Sequence, residues 1–312
     1  MVVATDPHLG PREWVLLGML SLLWGGSFFL VAIALRGLPP FTLVTLRVGL
    51  AAASLLFLLP LCGSGLPRGR AVWLACLGMG LLNNAIPFSL IVWGQTQIAS
   101  GLAAILNAST ALMGVMVAAI VFRDERMTGR RLSGVLLGLA GVTTVIGPQA
   151  LQALNPTSLG QLALLGASLS YACAAAFARK ALAGLPPQIA AAGMLTGAAV
   201  LILPAAALFG QPLSLAWPAS AWGALLYLAV IAGAGAYLLY YRVLAHAGAG
   251  NLSLVTLLVA PFAVLLGALV LQESLPPRDY LGFALIALGL LVLDGRPLSW
   301  LKKPRETAAR PR

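Results

Sequence analysis

The chain alternates between long, continuously apolar stretches and short segments that contain charged residues, proline or glycine. About 20 apolar residues are needed for a helix to cross the hydrocarbon core of a bilayer. Apolar and polar positions do not alternate within the stretches, which is typical of membrane-spanning helices rather than of barrel strands. Breaks at the charged, proline and glycine clusters predict ten spans, at 13–35, 41–62, 71–94, 98–121, 131–148, 158–180, 188–209, 219–242, 250–271 and 280–294.

The composition agrees with a membrane environment. Residues of the AVILMFWYC set make up 60% of the 312 residues and charged residues only 9%, whereas a soluble domain has about 25% charged residues. The first apolar run is too long for a cleavable signal peptide and is expected to be the first span. Cys62, Cys76 and Cys173 lack metal-ligand spacing, and the two histidines do not complete a zinc site with them. The sequence therefore predicts an all-α integral membrane protein with neither a metal site nor a cofactor.

The basic residues are distributed unevenly between the two ends of the predicted spans. Sixteen of the 19 Lys and Arg residues fall on the side of the termini, Arg36 and Arg278 fall on the opposite side, and Arg47 lies inside the second span. Loops rich in Lys and Arg stay in the cytoplasm, so both termini are predicted to be cytoplasmic in an inner-membrane protein. The same distribution accounts for the net charge of +11 without binding to nucleic acid.

Several landmarks of the first half recur in the second half. The tetrapeptide Gly-Leu-Pro-Pro stands at 37–40 and again at 184–187, an offset of 147 residues. Because each half has five spans, the second half must enter the membrane in the opposite orientation. Such inverted repeats are typical of transporters whose halves rock about a central site, and a duplication without rocking is the alternative. The other recurring pairs are Trp24 and Tyr171, Trp73 and Trp222, Glu125 and Glu273, Gly134 and Gly282, and Gly141 and Gly289.

The repeat divides the chain into four regions. Residues 1–12 are predicted to form a cytoplasmic tail, 13–150 the first five-helix repeat and 151–295 the second, inverted one. Residues 296–312 are predicted to form a basic cytoplasmic tail.

These features resemble the EamA-like, ten-helix branch of the drug/metabolite transporter superfamily over about residues 13–295. The resemblance rests on Leu-Leu-Trp-Gly-Gly-Ser-Phe-Phe at 22–29, Leu-Arg at 46–47, Asp124-Glu125, Glu273, Pro261 and the Gly-x6-Gly pattern of spans five and ten. It implies a central cavity lined by spans one, three, four, six, eight and nine, with spans five and ten at the periphery. It also implies a function like that of the YddG-like amino-acid exporters. The first half has Thr110, Ala111 and Leu112 where a counterpart of Pro261 is expected.

Polar and aromatic residues of the inferred cavity spans cluster near mid-depth, counted at 1.5 Å of rise per residue. Unpaired amides are costly in hydrocarbon, so these groups are expected to face partners or water. A ring of uncharged donors and acceptors with aromatic walls suits a small zwitterion, and hydrogen bonding between helices is the alternative. The predicted substrate-binding residues are Trp24, Ser27, Asn83, Asn84, Asn107, Thr110, Tyr171, Tyr227 and Thr256.

Other residues indicate places where helices bend or close. Pro87 and Pro261 interrupt helix hydrogen bonding, and Gly233 and Gly235 loosen span eight, so these four are predicted hinges. Tyr237, Tyr240 and Tyr241 are interpreted as part of an aromatic belt at the membrane surface, with a gate formed by Tyr240 and Tyr241 as the alternative.

Two features leave a structural and a functional interpretation open. Arg47 is the one charge inside a span, and it is expected to snorkel or to cap backbone carbonyls, with a role in function as the alternative. Gly134, Gly138 and Gly141 form a small-residue face, which indicates packing within the monomer or a dimer interface.

No carboxylate lies at mid-depth, which disfavours a proton-coupled pump and a pocket for cationic drugs. The sequence also lacks the buried carboxylate pair or the nucleophile with a base that an intramembrane enzyme needs. The resulting hypothesis is a monomeric or weakly dimeric transporter that exports neutral or aromatic amino acids by alternating access, as a facilitated uniporter in the lipid bilayer. The alternatives are a transporter of a drug, a sugar or a nucleotide-linked metabolite, and a proton-coupled antiporter.

Overall fold

The computed structural model describes residues 10–147, 149–155, 158–209, 217–259, 261–262 and 277–294. Every regular element within these ranges is a helix. Seven helical segments of the described chain are long and apolar enough to cross a membrane. They are Pro11–Ala34, Pro40–Leu61, Arg70–Gly94, Leu102–Val121, Leu159–Ala181, Pro187–Leu208 and Ala219–Ser253. The all-helical fold class expected from the sequence is therefore confirmed.

The helices follow the order of the predicted spans. The first half contains α1 (Pro11–Gly25), α2 (Ser27–Ala34), α3 (Pro40–Leu61), α4 (Arg70–Gly80), π1 (Leu81–Ala85), α5 (Ile86–Gly94), α6 (Ser100–Ala108), α7 (Thr110–Val121), α8 (Gly129–Ile146) and the short α9 (Gln149–Gln152). The second half contains α10 (Leu159–Ala181), α11 (Pro187–Phe209), α12 (Ala219–Leu226), π2 (Tyr227–Gly235), α13 (Ala236–Ser253) and α14 (Pro277–Asp294).

Four spans are interrupted near their middle. Gly26 separates α1 from α2 in span one, and Ser109 separates α6 from α7 in span four. Spans three and eight contain the π-helical segments π1 and π2, in which carbonyls bond to amides five residues on. An offset of 147 residues carries π1 onto residues 228–232, inside π2, so the two halves carry the same irregularity at matching positions. Side chains of neighbouring spans bond to backbone carbonyls near two of these breaks, since the Trp24 indole donates to Ala232 and the Tyr227 hydroxyl donates to Leu23.

Span eight is longer than the sequence prediction of 219–242. Helix α13 continues to residue 247 because residues 243–247 contain neither proline nor glycine. Within α13 the helix breaks at Gly248, whose φ of 81° and ψ of 172° are not helical, and residues 249–253 of α13 belong to the next span. Span nine begins immediately after this break, and it is described at residues 249–259 and 261–262.

Spans five and ten pack against each other through glycines. A Cβ atom added to Gly289 would lie 2.6 Å from the carbonyl oxygen of Gly134, and one added to Gly141 would lie 2.7 Å from that of Gly282. At an offset of 148 residues, Gly282 corresponds to Gly134 and Gly289 corresponds to Gly141. Replacing each glycine by its counterpart therefore converts one of these two contacts into the other. Such reciprocal contacts are the property of a two-fold axis. The two halves are therefore related here by an internal pseudo-two-fold axis, as expected for inverted repeats.

The small-residue face of α8 is covered within the chain. Gly134 and Gly141 contact α14, and a Cβ atom on Gly138 would lie 2.7 Å from Leu257 Cδ1. The interpretation of this face as a dimer interface is wrong, because intramolecular helix packing already occupies it.

Candidate functional site

A cavity lies between spans one, three, four, six, eight and nine, with one residue from span two. Seven of the nine predicted substrate-binding residues line it: Trp24, Ser27, Asn83, Asn107, Thr110, Tyr171 and Thr256. The peripheral spans five and ten contribute no lining residue among those described. Most of the side chains that were expected at mid-depth from the sequence therefore lie together in this cavity.

Asn84 and Tyr227 lie outside the cavity wall. The Asn84 side chain donates a hydrogen bond of 2.9 Å to the hydroxyl of Tyr237, and the Tyr227 hydroxyl donates one of 3.0 Å to the carbonyl of Leu23. Both residues connect span eight to another span. This is the alternative role, hydrogen bonding between helices, that the sequence left open.

Pro87 determines where the polar part of span three lies. It lacks the amide hydrogen that would bond to the Asn83 carbonyl in a regular α-helix. The Tyr237 hydroxyl donates to that carbonyl at 3.5 Å, and the Asn83 side chain donates to Met194 Sδ at 3.5 Å. Span eight thus compensates for the defect in span three, which fixes Asn83 at the cavity.

Trp24 contributes an aromatic wall rather than a free donor. Its indole Nε1 donates a hydrogen bond of 2.8 Å to the carbonyl of Ala232, inside π2. Its ring lies 6.0 Å from that of Tyr237 and 6.3 Å from that of Tyr240, centroid to centroid. Because its donor is already used, Trp24 offers a substrate the faces and edges of a ring.

The three tyrosines of α13 do not form an aromatic belt. Tyr237, Tyr240 and Tyr241 are at most 5% exposed. Tyr237 and Tyr240 line the cavity, and the Tyr241 hydroxyl bonds to Met194 Sδ at 3.2 Å. The belt interpretation is wrong because residues three and four apart share a helix face, and this face points into the bundle. A gate formed by Tyr240 and Tyr241 stays a prediction.

Arg47 is the charged residue of the cavity. It is 6% exposed, and its guanidinium carbon lies 3.8 Å from the centroid of the Phe88 ring. The described residues give its guanidinium no hydrogen bond and no ion pair, and Nε is buried without a partner. The expected snorkelling to the surface and the expected capping of backbone carbonyls are both wrong, because Arg47 faces the cavity and no described carbonyl accepts a hydrogen bond from it. No pattern in the sequence distinguishes Phe88, which is one of many apolar residues in span three.

Further polar atoms of the lining lack partners within the described protein. Each of them is buried, and together they provide hydroxyl donors and amide or hydroxyl acceptors. They are Ser27 Oγ, Asn107 Oδ1, Thr110 Oγ1 and the Tyr240 hydroxyl. No described carboxylate lines the cavity, and the described residues contain no cluster of three His, Cys, Asp or Glu side chains for a metal ion. The site therefore combines one cation with uncharged polar groups and aromatic walls.

The predicted hinge residues occupy different settings. A Cβ atom on Gly233 would lie 3.0 Å from the Cβ atom of Ala51, so this glycine allows π2 to approach span two closely. Gly235 ends π2, Pro87 follows π1 and Pro261 lies in the helical part of span nine. Movement at these residues stays a prediction.

A second polar cluster lies at the end of the bundle that carries the basic loops. The fully buried carboxylate of Glu125 accepts hydrogen bonds from the amides of Ala249 (3.1 Å) and Gly250 (2.8 Å) and from Arg179 Nη1 (2.6 Å). Arg131 Nη1 lies 3.8 Å away, and Arg179 also bonds to Asp124. We call these groups the Glu125 cluster. It connects spans four, five, six and nine.

The break at Gly248 explains the position of this cluster. The amides of Ala249 and Gly250 begin a new helical segment and have no partner of their own there. A carboxylate at a helix N-terminus satisfies them and complements the helix dipole. The hydrogen bond from Arg179 also lowers the pKa of the Asp124 carboxyl. The sequence identified Glu125 only as a landmark of the repeat, and its second-half counterpart, Glu273, lies outside the described residues.

A helical bundle with an internal two-fold relation, and with a cavity that combines apolar walls with a few polar groups, has the architecture of a membrane transporter. Residues 12–147 and residues 158–293 each match the EamA-like transporter family. The chain belongs to this family, which confirms the resemblance seen in the sequence. Proteins of this family are transporters and not enzymes, so the expectation of a non-enzymatic protein is also confirmed.

Individual relatives agree with the family. The chain is 27% identical over 170 residues to a protein of Escherichia coli (strain K12) named "Probable amino-acid metabolite efflux pump", covering 54% of each chain. It is 28% identical over 195 residues to a protein of the same name from Salmonella typhimurium, covering 60% of this chain and 61% of the relative. The alignments thus span little more than half the length of these curated relatives.

A solved crystal structure of another protein has the same fold. It superimposes with a TM-score of 0.72 at 20% sequence identity, over 90% of this chain and 97% of the other. The likeness concerns the fold alone.

Proposed function

We propose that this chain is an inner-membrane transporter that exports small amino-acid-type metabolites through the central cavity, with neutral and aromatic amino acids as its main substrates. The observation that carries the proposal is the composition of the cavity wall. Buried polar atoms without partners stand beside the aromatic rings of Trp24, Tyr171 and Tyr237. Binding sites for small molecules are mostly apolar with a few such convergent polar groups. The printed names of the two relatives support the same substrate class.

Alternating access is the proposed mechanism. Two pseudo-symmetric halves offer two equivalent ways to close the bundle, one at each end. The Glu125 cluster holds spans four, six and nine together at the end of the basic loops, which we take as the cytoplasmic end because of those loops. Release of this cluster would let the halves rock, with the breaks at Gly26, Ser109 and Gly248 absorbing the change.

We propose that transport is facilitated, which means that no coupled ion supplies energy for it. A carboxylate inside the cavity is the usual means of carrying a proton through a membrane protein, and the described lining has none. The concentration gradient of the metabolite then drives its export, without a coupled ion.

Counterflow in proteoliposomes tests this function. Purified protein is reconstituted with an unlabelled amino acid inside, and entry of the labelled amino acid is measured for a panel of neutral, aromatic, acidic and basic species. We expect saturable exchange of neutral and aromatic amino acids that does not depend on a pH gradient. Absence of saturable exchange for all amino acids would contradict the substrate class. Accumulation against a gradient only when a pH gradient is imposed would contradict uniport.

A further inference from the structure

We infer that the Arg47 guanidinium is the anchor for a carboxylate of the transported molecule, so that the cavity selects monoanionic and zwitterionic carboxylates and rejects amines and organic cations. The inference rests on the proposed function and specifies which group of the substrate is recognised. It assigns to the second span the residue that gives the site its charge among the described lining residues.

The first argument is the state of the Arg47 side chain. It is buried and faces the cavity, and no described carboxylate bonds to it or lines the same space. A buried charge without a counter-ion is strongly destabilising to a folded protein. Contact with the Phe88 ring offsets only part of that cost. An anionic ligand supplies the missing counter-charge at the moment of binding.

The second argument is geometric. The guanidinium carbon of Arg47 lies over the Phe88 ring, 3.8 Å from the ring centroid, so the ring covers the guanidinium on one side. A guanidinium held in a fixed plane presents its N–H donors in a fork that matches the two oxygens of a carboxylate. Tyr171 and Tyr237 line the same cavity as Arg47. The carboxylate position is therefore bordered by aromatic groups.

The third argument is the rest of the wall. Asn107 Oδ1 and the hydroxyls of Ser27 and Thr110 are buried, and no described residue bonds to them. These uncharged acceptors accommodate the ammonium group of an amino acid without the strong attraction that a carboxylate would exert on any cation. One guanidinium balances one negative charge, which favours a carboxylate over a doubly charged phosphate.

A binding assay separates this inference from transport itself. The dissociation constants of phenylalanine, phenylacetate, phenylalaninamide, phenethylamine and phenylphosphonate are measured with the purified protein in detergent. We expect the two carboxylates to bind at least about tenfold more tightly than the amide and the amine, because a hydrogen bond to a charged group contributes that much. The phosphonate is expected to bind more weakly than phenylacetate.

Three variants assign the preference to Arg47. Arg47→Gln is expected to lose the tenfold preference for carboxylates, and Arg47→Lys to keep part of it. The matched control is Arg68→Gln, whose arginine is exposed in a loop outside the cavity, and it is expected to behave as the wild type. Removing an unpaired buried charge should leave the ligand-free protein at least as stable as the wild type, whereas a structural arginine would leave it less stable.

The outcomes distinguish the inference from the proposed function. The inference is overturned if the amide binds as tightly as the acid, if no carboxylate binds, if the phosphonate binds best, or if Arg47→Gln keeps the preference. Carboxylate binding without counterflow would contradict transport and leave the Arg47 assignment in place. Counterflow that is indifferent to the carboxylate would contradict Arg47 and leave transport in place.

Discussion

The buried carboxylate of Glu125 receives a hydrogen bond of 2.6 Å from the guanidinium of Arg179, which lies 54 residues further along the chain. Gly250 lies close on the other side of this carboxylate, since a Cβ atom added there would meet Glu125 Oε2. The carboxylate thus joins the end of span six to the start of span nine. A single carboxylate side chain therefore bonds to both spans at this end of the bundle.

Loss of the Glu125 charge should destabilise the protein. Glu125→Gln leaves Arg179 with only the more exposed Asp124, and breaking a buried ion pair from one side costs about 3 kcal/mol. Asp124→Asn is the matched control, because the Asp124 side chain is 32% exposed and solvent screens its ion pair. The control should lose less than about 1 kcal/mol. Thermal unfolding in detergent compares the two variants, and equal losses would show that the buried carboxylate has no special role.

Acid should remove the contribution of Asp124. The hydrogen bond from Arg179 lowers the pKa of this carboxyl in the folded protein, and an unfolded aspartate titrates near ~4. A lowered pKa means that the stabilisation is fully present above the unfolded value and is lost as the pH falls through the folded value. The stability difference between wild type and Asp124→Asn should be constant between about pH 8 and about pH 5 and vanish on stronger acidification. A difference that does not shrink as the pH falls below ~4 would assign it to packing instead.

The glycine contact between spans five and ten should not tolerate a methyl group. Gly289→Ala would place its Cβ 2.6 Å from the Gly134 carbonyl oxygen, a backbone atom with little freedom to move. We expect a loss of about 2 kcal/mol from overpacking. Gly49→Ala is the matched control, because a Cβ atom there meets nothing within 4 Å and alanine favours a helix. If both variants unfold at the wild-type temperature, the two spans do not pack as described.

Much of the fold was predictable from the sequence because membrane helices depend on local properties. Continuous apolar runs locate the spans, and the repeated glycines, such as Gly134 and Gly282, indicate the internal symmetry. The extension of α13 to residue 247 was not predictable in this way. The end of that helix depends on a positive φ at Gly248, and the sequence contains 34 glycines without indicating which one adopts it.

The depth of the site residues in the membrane was predictable from the sequence, but the direction in which each side chain points was not. Counting residues along each helix gives the height of a side chain, so Asn107 and Thr110 were expected near the cavity. Whether a polar group faces the cavity or a neighbouring helix depends on helix rotation, which tertiary packing determines. Asn84 therefore bonds to Tyr237 although its neighbour Asn83 lines the cavity.

The direction of the Arg47 side chain was also not predictable from the sequence. Its depth suggested a path to the membrane surface, and a long side chain often takes such a path. Instead, the guanidinium lies inside the helical bundle, against the Phe88 ring and at the wall of the cavity. Only the rotation of spans two and three, which no local pattern encodes, brings these two side chains together.

The most direct test of the account is counterflow through variants of the cavity wall, normalised to the amount of reconstituted protein. Trp24→Ala removes an aromatic wall and Asn83→Ala removes a polar group of the lining, whereas Trp93→Ala is the control because Trp93 is 37% exposed and lies outside the cavity. We expect amino-acid exchange to fall about tenfold or more in the two cavity variants, at unchanged expression, and to stay at the wild-type rate in the control. Wild-type exchange in both cavity variants would show that these side chains only pack the bundle and that the substrate takes another path.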